Sequence, residues 1–259
     1  MTYQHFEIER HKHVGVVRFN RPDRLNSFDA AMTREMPAAF HELMDDDNIR
    51  SVVVTGKGKG FCAGADVNYL QELVVGQKLD EGEALVTAGS QVVEMIHNAD
   101  KPVIAAINGA VAGGGAGIAL ACDIRLMAQS ASIGFTFVRI GLHPDLGCMY
   151  FLPRLVGPAK TAELFMTGEM IAADEAFRLG VVNHVIPDTE LMPRAMLMAR
   201  TLAEKSPHSL RLMKKGLAQS LDESLEKMLK YEIASQKTCF GSKEAKSALQ
   251  QFLDARRKK

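Results

Sequence analysis

"KPVIAAINGAVAGGGAGIALACDIRLMA", residues 101–128, decides the fold. Residues 101–109 form a short apolar run and read as a buried strand. The glycines of "AVAGGGAG" turn the chain into "IALACD", a helix of small residues, and "IRLMA" (Ile124–Ala128) is the next strand. The same order extends towards the N-terminus. "SVVVTG" (Ser51–Gly56) is a strand, "KGKGFCAGAD" a glycine-rich loop, and residues 69–97 a helical stretch with a break between Gly76 and Gly82. Before that, "HVGVVRF" alternates as a strand should. "NRPDRLNSFD" then turns, and Asp29 reads as the N-cap of a helix over Ala30–Met44. Strands alternating with helices argue for an α/β fold with largely parallel strands. Beyond Pro144 the chain reads as helix, with one short strand at "VVNHVI". Residues 190–204, 207–220, 221–238 and 242–257 are each amphipathic.

The bulk numbers fit that picture. The chain has 259 residues, which suits one large domain or one domain with an appendage. Lys+Arg and Asp+Glu balance at 31 each, which removes any general electrostatic case for nucleic acid or an anionic membrane. Four scattered cysteines (Cys62, Cys122, Cys148, Cys239) show no metal spacing and suit a reducing compartment. The N-terminus is charged and lacks an apolar leader core, so a cytoplasmic protein is expected. Residues 102–122 are small and apolar, but Asn108 and the glycines break them as a membrane span. The tail "DARRKK" reads as a solvated helix end or as a contact to a phosphate-bearing ligand.

Two glycine loops, "GKGFCAGAD" and "GAVAGGGAG", each leave a strand. A glycine loop that opens a helix offers free amides and the positive end of a dipole. Phosphate readings fit poorly: there is no GK[ST], and the glycines miss the GxGxxG register. There is no GxSxG elbow either. Either the glycines only permit close packing, or each loop gives one amide to a shared carbonyl oxygen. Such donors are worth roughly 3–4 kcal/mol each. Asp145, in "GLHPDLGCMYFLPRLVG", stands where turn residues meet an apolar helical run. Locally it reads as a helix cap.

"NRPDRLNSF", "GKGFCAGADV", residues 101–128 and "IGLHPDLGCMYFLPRLVG" resemble the crotonase (enoyl-CoA hydratase/isomerase) superfamily, in order and over nearly the whole chain. The resemblance implies a spiral of ββα units over residues 1–200 and a helical trimerisation region over residues 201–259. It implies a homotrimer or dimer of trimers that binds acyl-CoA thioesters, with neither nucleic acid nor membrane as partner. The oxyanion donors would be the N–H groups of Ala65 and Gly114. Arg24, Leu25 and Ser27, with Ala63 and the Ala65 backbone, would hold the bent CoA, Arg24 on a phosphate. Asp66 falls in that same CoA-binding stretch and also reads as the cap of the next helix. No metal or redox cofactor is expected, because the thioester is the electron sink.

The hydratases of the family carry two glutamates, and this chain has Gly117 and Phe137 at those positions. Asp145 in "GLxPDxG" is similar to the ring-1,2-epoxyphenylacetyl-CoA isomerase branch, which also lacks both. Dienoyl-CoA isomerases add two carboxylates absent here, and the aryl-CoA dehalogenases need a tryptophan, of which this chain has none. The expectation is therefore an isomerase in which Asp145 moves a proton, its pKa raised by Phe137, Leu146 and Tyr150. An atypical enoyl-CoA hydratase and a non-catalytic CoA-ester binder are the alternatives. His143 reads as a turn residue or a ligand contact, Cys62 and Cys148 as small buried residues, Tyr150 as pocket wall and Asp123 as structural. The lysine that some relatives place near the end falls on Ala255. The acyl group is not fixed.

Overall fold

The computed structural model describes residues 2–257, apart from the side chains of Gln251, Ala255 and Arg257. Lys258 and Lys259 of the basic tail, and the side chain at position 255, thus lie outside the described residues. The chain begins β1 (Phe6–His11), β2 (Val14–Phe19), α1 (Ala30–Met44), β3 (Ser51–Gly56), β4 (Gly60–Cys62), α2 (Val67–Val75) and α3 (Leu79–Asn98). It continues β5 (Val103–Ile107), β6 (Ala110–Ala112), α4 (Gly114–Ala121), β7 (Ile124–Ala128), β8 (Ser132–Gly134) and α5 (Cys148–Thr167). It ends β9 (Met170–Ala172), α6 (Ala173–Arg178), β10 (His184–Ile186), α7 (Leu191–Ala203), α8 (Pro207–Gln219), α9 (Leu225–Phe240) and α10 (Lys243–Arg257).

One six-stranded sheet has the order β1-β2-β3-β5-β7-β10 and is parallel except for the β1–β2 hairpin. A second sheet has the order β4-β6-β8-β9, with β9 antiparallel. In the pairs β3–β4, β5–β6 and β7–β8 the first strand joins the large sheet and the second joins the small one. A helix follows each pair, which is the ββα spiral that the resemblance implies. Every residue of β3 and β5 is buried, as expected for parallel strands covered on both faces. The ring of Phe19 meets Phe6, Phe28, Phe40 and Phe61 at centroid distances of 5.5–6.2 Å and so ties β1, β2, α1 and β4 into one core. Asp29 caps α1, its carboxylate accepting from Met32 N–H at 2.9 Å, an interaction worth about 1 kcal/mol.

The structure adds strands that the pattern does not announce. In β1, "FEIERH", charged residues interrupt the apolar ones, because it is an edge strand whose charges pair across the hairpin, as Arg18 does with Glu9 at 3.0 Å. The strands of the second sheet have three residues each, too few for any period to show. One of them, β9, interrupts the stretch expected to be helical beyond Pro144. The chain leaves α5 through Gly168 in the left-handed region (φ +63°), a helix stop that only glycine takes without strain. Helix α7 packs Leu191, Ala195, Ala199 and Ala203 inwards at four-residue spacing, and Ser51 Oγ donates to Ala199 O at 2.8 Å. Lys214 staples α8 to the core through Ile96 O (2.7 Å) and the Asp123 carboxylate (2.8 Å). Asp123 also accepts from Val103 N–H, the structural role its sequence position implies. No helix among the described residues is long and apolar enough to cross a membrane.

Candidate active site

The two glycine loops meet because α4 lies directly on the end of β4. A methyl placed on Gly115 would sit 2.9 Å from the Cβ and Sγ of Cys62 and would run into the Cys62 carbonyl. Cys62 is fully buried and its thiol is pushed up to about 12 by that burial, so it packs as a small apolar residue. In the first loop Phe28 N–H donates to Gly64 O and Asp66 N–H donates to Phe28 O, both at 2.8 Å. In an extended segment successive N–H groups point to opposite sides, so the Ala65 N–H faces away from Phe28. In the second loop Gly113 (φ +52°) precedes Gly114, the first residue of α4, whose N–H belongs to the free first turn. Neither amide has an acceptor among the described residues. A methyl on Gly64 would lie 3.4 Å from the Gly114 nitrogen, so the loops are in contact. Ala65 and Gly114 both line one cavity of about 770 Å³. A larger and more open depression between α1 and α3, beside Tyr3, His41 and Met95, touches neither loop.

Asp145 enters the same cavity, and its side chain does not cap α5. That local reading is corrected by the backbone. Leu146 (φ +47°) and Gly147 (φ +77°) are both left-handed, and they turn the carboxylate off the helix axis before α5 starts at Cys148. Only the Asp145 carbonyl meets the helix, accepting from Cys148 N–H at 2.9 Å. Asp145 Oδ1 is buried without a hydrogen-bond partner among the described residues, and a methyl on Gly114 would lie 3.6 Å from it. Burial raises this carboxyl to about 6, with nearby His143 pulling the other way. Phe137 and Leu146 line the cavity as expected. Tyr150 does not. It reaches Asp222 at 3.4 Å, and Arg154 stacks on its ring at 3.6 Å. Cys148 is fully buried, with its thiol pushed up by burial.

The Arg24 to Asp66 group lies beside the first loop. Asn26, fully buried and left-handed (φ +59°), donates to Lys57 O and Gly60 O and accepts from Arg21 N–H. This staple lays Leu25 along the loop, where Leu25 O accepts from Ala63 N–H at 3.0 Å. Arg24 is exposed and has no ion-pair partner among the described residues, which leaves its charge available. Arg21, which the sequence reading passed over, is committed inwards. It donates to Ser27 O (2.9 Å) and to Asp66 (2.8 Å) and pairs with Asp29 (3.1 Å). Asp66 caps α2 through Asn68 N–H. Burial works to raise its pKa, but Arg21 and that amide outweigh it and hold the carboxyl below its usual range. The only signal for Arg21 was its place in "NRPDR", three residues before Arg24. The cavity wall is largely apolar, with Leu70, Leu73, Val74, Leu85 and Ile140 among its residues, and Gln77, Lys78, Thr136, Arg139 and His143 are the polar side chains that share it with Asp145. His143 lies at its exposed side.

Known proteins resemble this chain over nearly its whole length. The family model for enoyl-CoA hydratase/isomerase matches residues 9–259. Crotonyl-CoA hydratase of Syntrophomonas wolfei is 33% identical over 258 residues, covering 99% of this chain and 98% of that protein. The 1,2-epoxyphenylacetyl-CoA isomerase of Escherichia coli is 34% identical over 245 residues, 95% of this chain and 94% of that one. The crystal structure of an enoyl-CoA hydratase from Bacillus anthracis superposes with a TM-score of 0.90 at 32% identity, over 97% of each chain. With a match that runs from residue 9 to residue 259, the chain belongs to the enoyl-CoA hydratase/isomerase family.

Proposed function

We propose that this acyl-CoA enzyme is an isomerase that moves a double bond, with Asp145 as its single base. The thioester oxygen sits on the Ala65 and Gly114 amides. Asp145 removes the C2 proton of a 3-enoyl-CoA, and the electron pair of that C–H bond passes to the thioester as an enolate. The enolate reforms the carbonyl, the double bond shifts to C2–C3, and Asp145 returns the proton to C4. The thioester is the only electron sink that this sequence needs. Arg24 holds a CoA phosphate, with Leu25, Ser27, Ala63 and Asp66 shaping the pantetheine path. The observation that carries the reading is the buried, unpartnered Asp145 Oδ1 beside Gly114, with a carboxyl raised to about 6. A base poised near neutrality suits proton transfer. The exposed apolar stripe of α9 is the contact that would build a homotrimer or dimer of trimers.

The relative named crotonyl-CoA hydratase favours a second reading, water addition. Against it stand Gly117, which has no room for a side chain, and Phe137, which presents a ring to the cavity where a carboxylate would be needed. The deciding experiment runs a 3-enoyl-CoA and a 2-enoyl-CoA in D2O with wild-type protein and Asp145→Asn. The expected result is double-bond migration with deuterium uptake, an acid limb near pH 6, and a loss of roughly 10²–10⁴-fold in the variant. Water addition that survives Asp145→Asn would refute the isomerase and favour the hydratase. Binding of both esters without turnover would favour a non-catalytic binder.

A further inference from the structure

We infer that Leu146 is the positioning residue of this site: seated in a slot cut by Gly89, Gly114 and Gly117, it fixes the turn that holds the Asp145 carboxylate beside the Gly114 amide. The inference rests on the reading of Asp145 as the base. A methyl on Gly89 of α3 would lie 2.5 Å from Leu146 Cδ2, and one on Gly114 would lie 3.0 Å from the same atom. A methyl on Gly117 would lie 2.9 Å from Leu146 Cβ and would collide with the Leu146 carbonyl. None of these three glycines has a positive φ, so their backbone does not call for glycine. The space does. Glycine inside a helix is unfavourable, and here two helices accept it around one side chain. Leu146 is 5% exposed and is itself held in the left-handed region, uncommon for a branched residue. The seated side chain is what keeps that turn in place.

The same packing explains the missing glutamate. A side chain at position 117 would evict Leu146, so this turn and a carboxylate at that position exclude each other. The site is thus built for one carboxylate.

The test compares wild type with Leu146→Ala, Leu146→Met, Gly89→Ala and the Gly89→Ala/Leu146→Ala double variant, with Asp145→Asn as reference. The readouts are kcat, KM, the pH profile of kcat/KM for double-bond migration, and the thermal midpoint. The charged or titratable groups that act on Asp145 are His143 on its own segment and Cys148 on α5, while Arg139 from the turn after β8 and Lys78 between α2 and α3 line the same cavity. Helix α4, "GGAGIALA", contributes none. Leu146→Ala is expected to lower kcat roughly 10- to 100-fold, as an ångström-scale misplacement does. Its KM should stay within about twofold of wild type. Its acid limb should move to lower pH as water reaches the carboxylate. Leu146→Met should recover most of the rate. Gly89→Ala favours the helix yet crowds the slot, so it should slow the wild type but improve Leu146→Ala by refilling the cavity. Leu146→Ala with an unmoved limb, and a rate lost only in proportion to folded protein, would overturn the inference. So would a double variant no better than Leu146→Ala alone. If Asp145→Asn is inactive while Leu146→Ala keeps the wild-type rate and limb, only the role of Leu146 fails. If Asp145→Asn keeps the wild-type rate, the base assignment fails and the inference with it.

Discussion

Helix α4 buries all eight of its residues, whereas α9 buries none of its sixteen. The sequence of α4, "GGAGIALA", carries no stripe, because every side of the helix meets protein. Its glycines mark places where other groups approach: Cys62 at Gly115 and Leu146 at Gly114 and Gly117. Helix α9 carries the opposite signature. Leu225, Leu229 and Ile233 follow one another at four-residue spacing and stand 75%, 48% and 71% exposed. A surface helix ordinarily turns such a stripe towards a core, and here the stripe faces outwards. Thus α4 is held by close packing inside one chain, and α9 is a helix whose apolar face has no cover among the described residues.

The contrast can be broken most easily at Gly115. Gly115→Val puts a branched side chain into the Cys62 carbonyl and is expected to cost about 3 kcal/mol or more of folding stability, measured by denaturant titration. A stability close to wild type would show that α4 is not close-packed on β4.

A smaller effect of opposite sign is expected at Asp145. Its carboxyl is raised in the folded state from 3.8 to about 6. Folding is therefore helped by the protonated form below pH 3.8, and this help is lost as pH rises through about 6. Two pH units correspond to about 3 kcal/mol at most. Asp145 is partly exposed, so about 1–3 kcal/mol is expected at pH 8. Asp145→Asn should accordingly gain in thermal midpoint relative to wild type between pH 4 and pH 8. An equal offset at both values would mean that the carboxylate is solvated.

The smallest effect on the fold belongs to α9. Ile233→Ser, at an exposed site, should change unfolding free energy by no more than about 0.5 kcal/mol in the isolated chain. Light scattering should instead show a shift towards smaller assemblies. A large loss of monomer stability with unchanged mass would place the cover of this stripe within the chain itself.

What could be read from the sequence was what depends on neighbours in the chain. Period and caps set α1 at Ala30–Met44 with Asp29 at its head, and the apolar run set β3 at Ser51–Gly56. The two glycine loops and Asp145 were legible as candidates for the same reason, as short motifs with local chemistry. The second sheet was not legible from periodicity, because strands of three residues are fixed by their partners rather than by a period. Asp145 as a cap was the better local reading, and it gave way to two left-handed residues, Leu146 and Gly147, held by packing from α3 and α4. Tyr150 and Arg21 likewise took their places from partners far along the chain, Asp222 and Asp66. Local propensity thus determined most of the helices, the inner strands of the large sheet and which residues carry reactive groups. Only the tertiary structure decided which of those groups share a cavity, because that depends on the few positions where glycine lets two backbones come close.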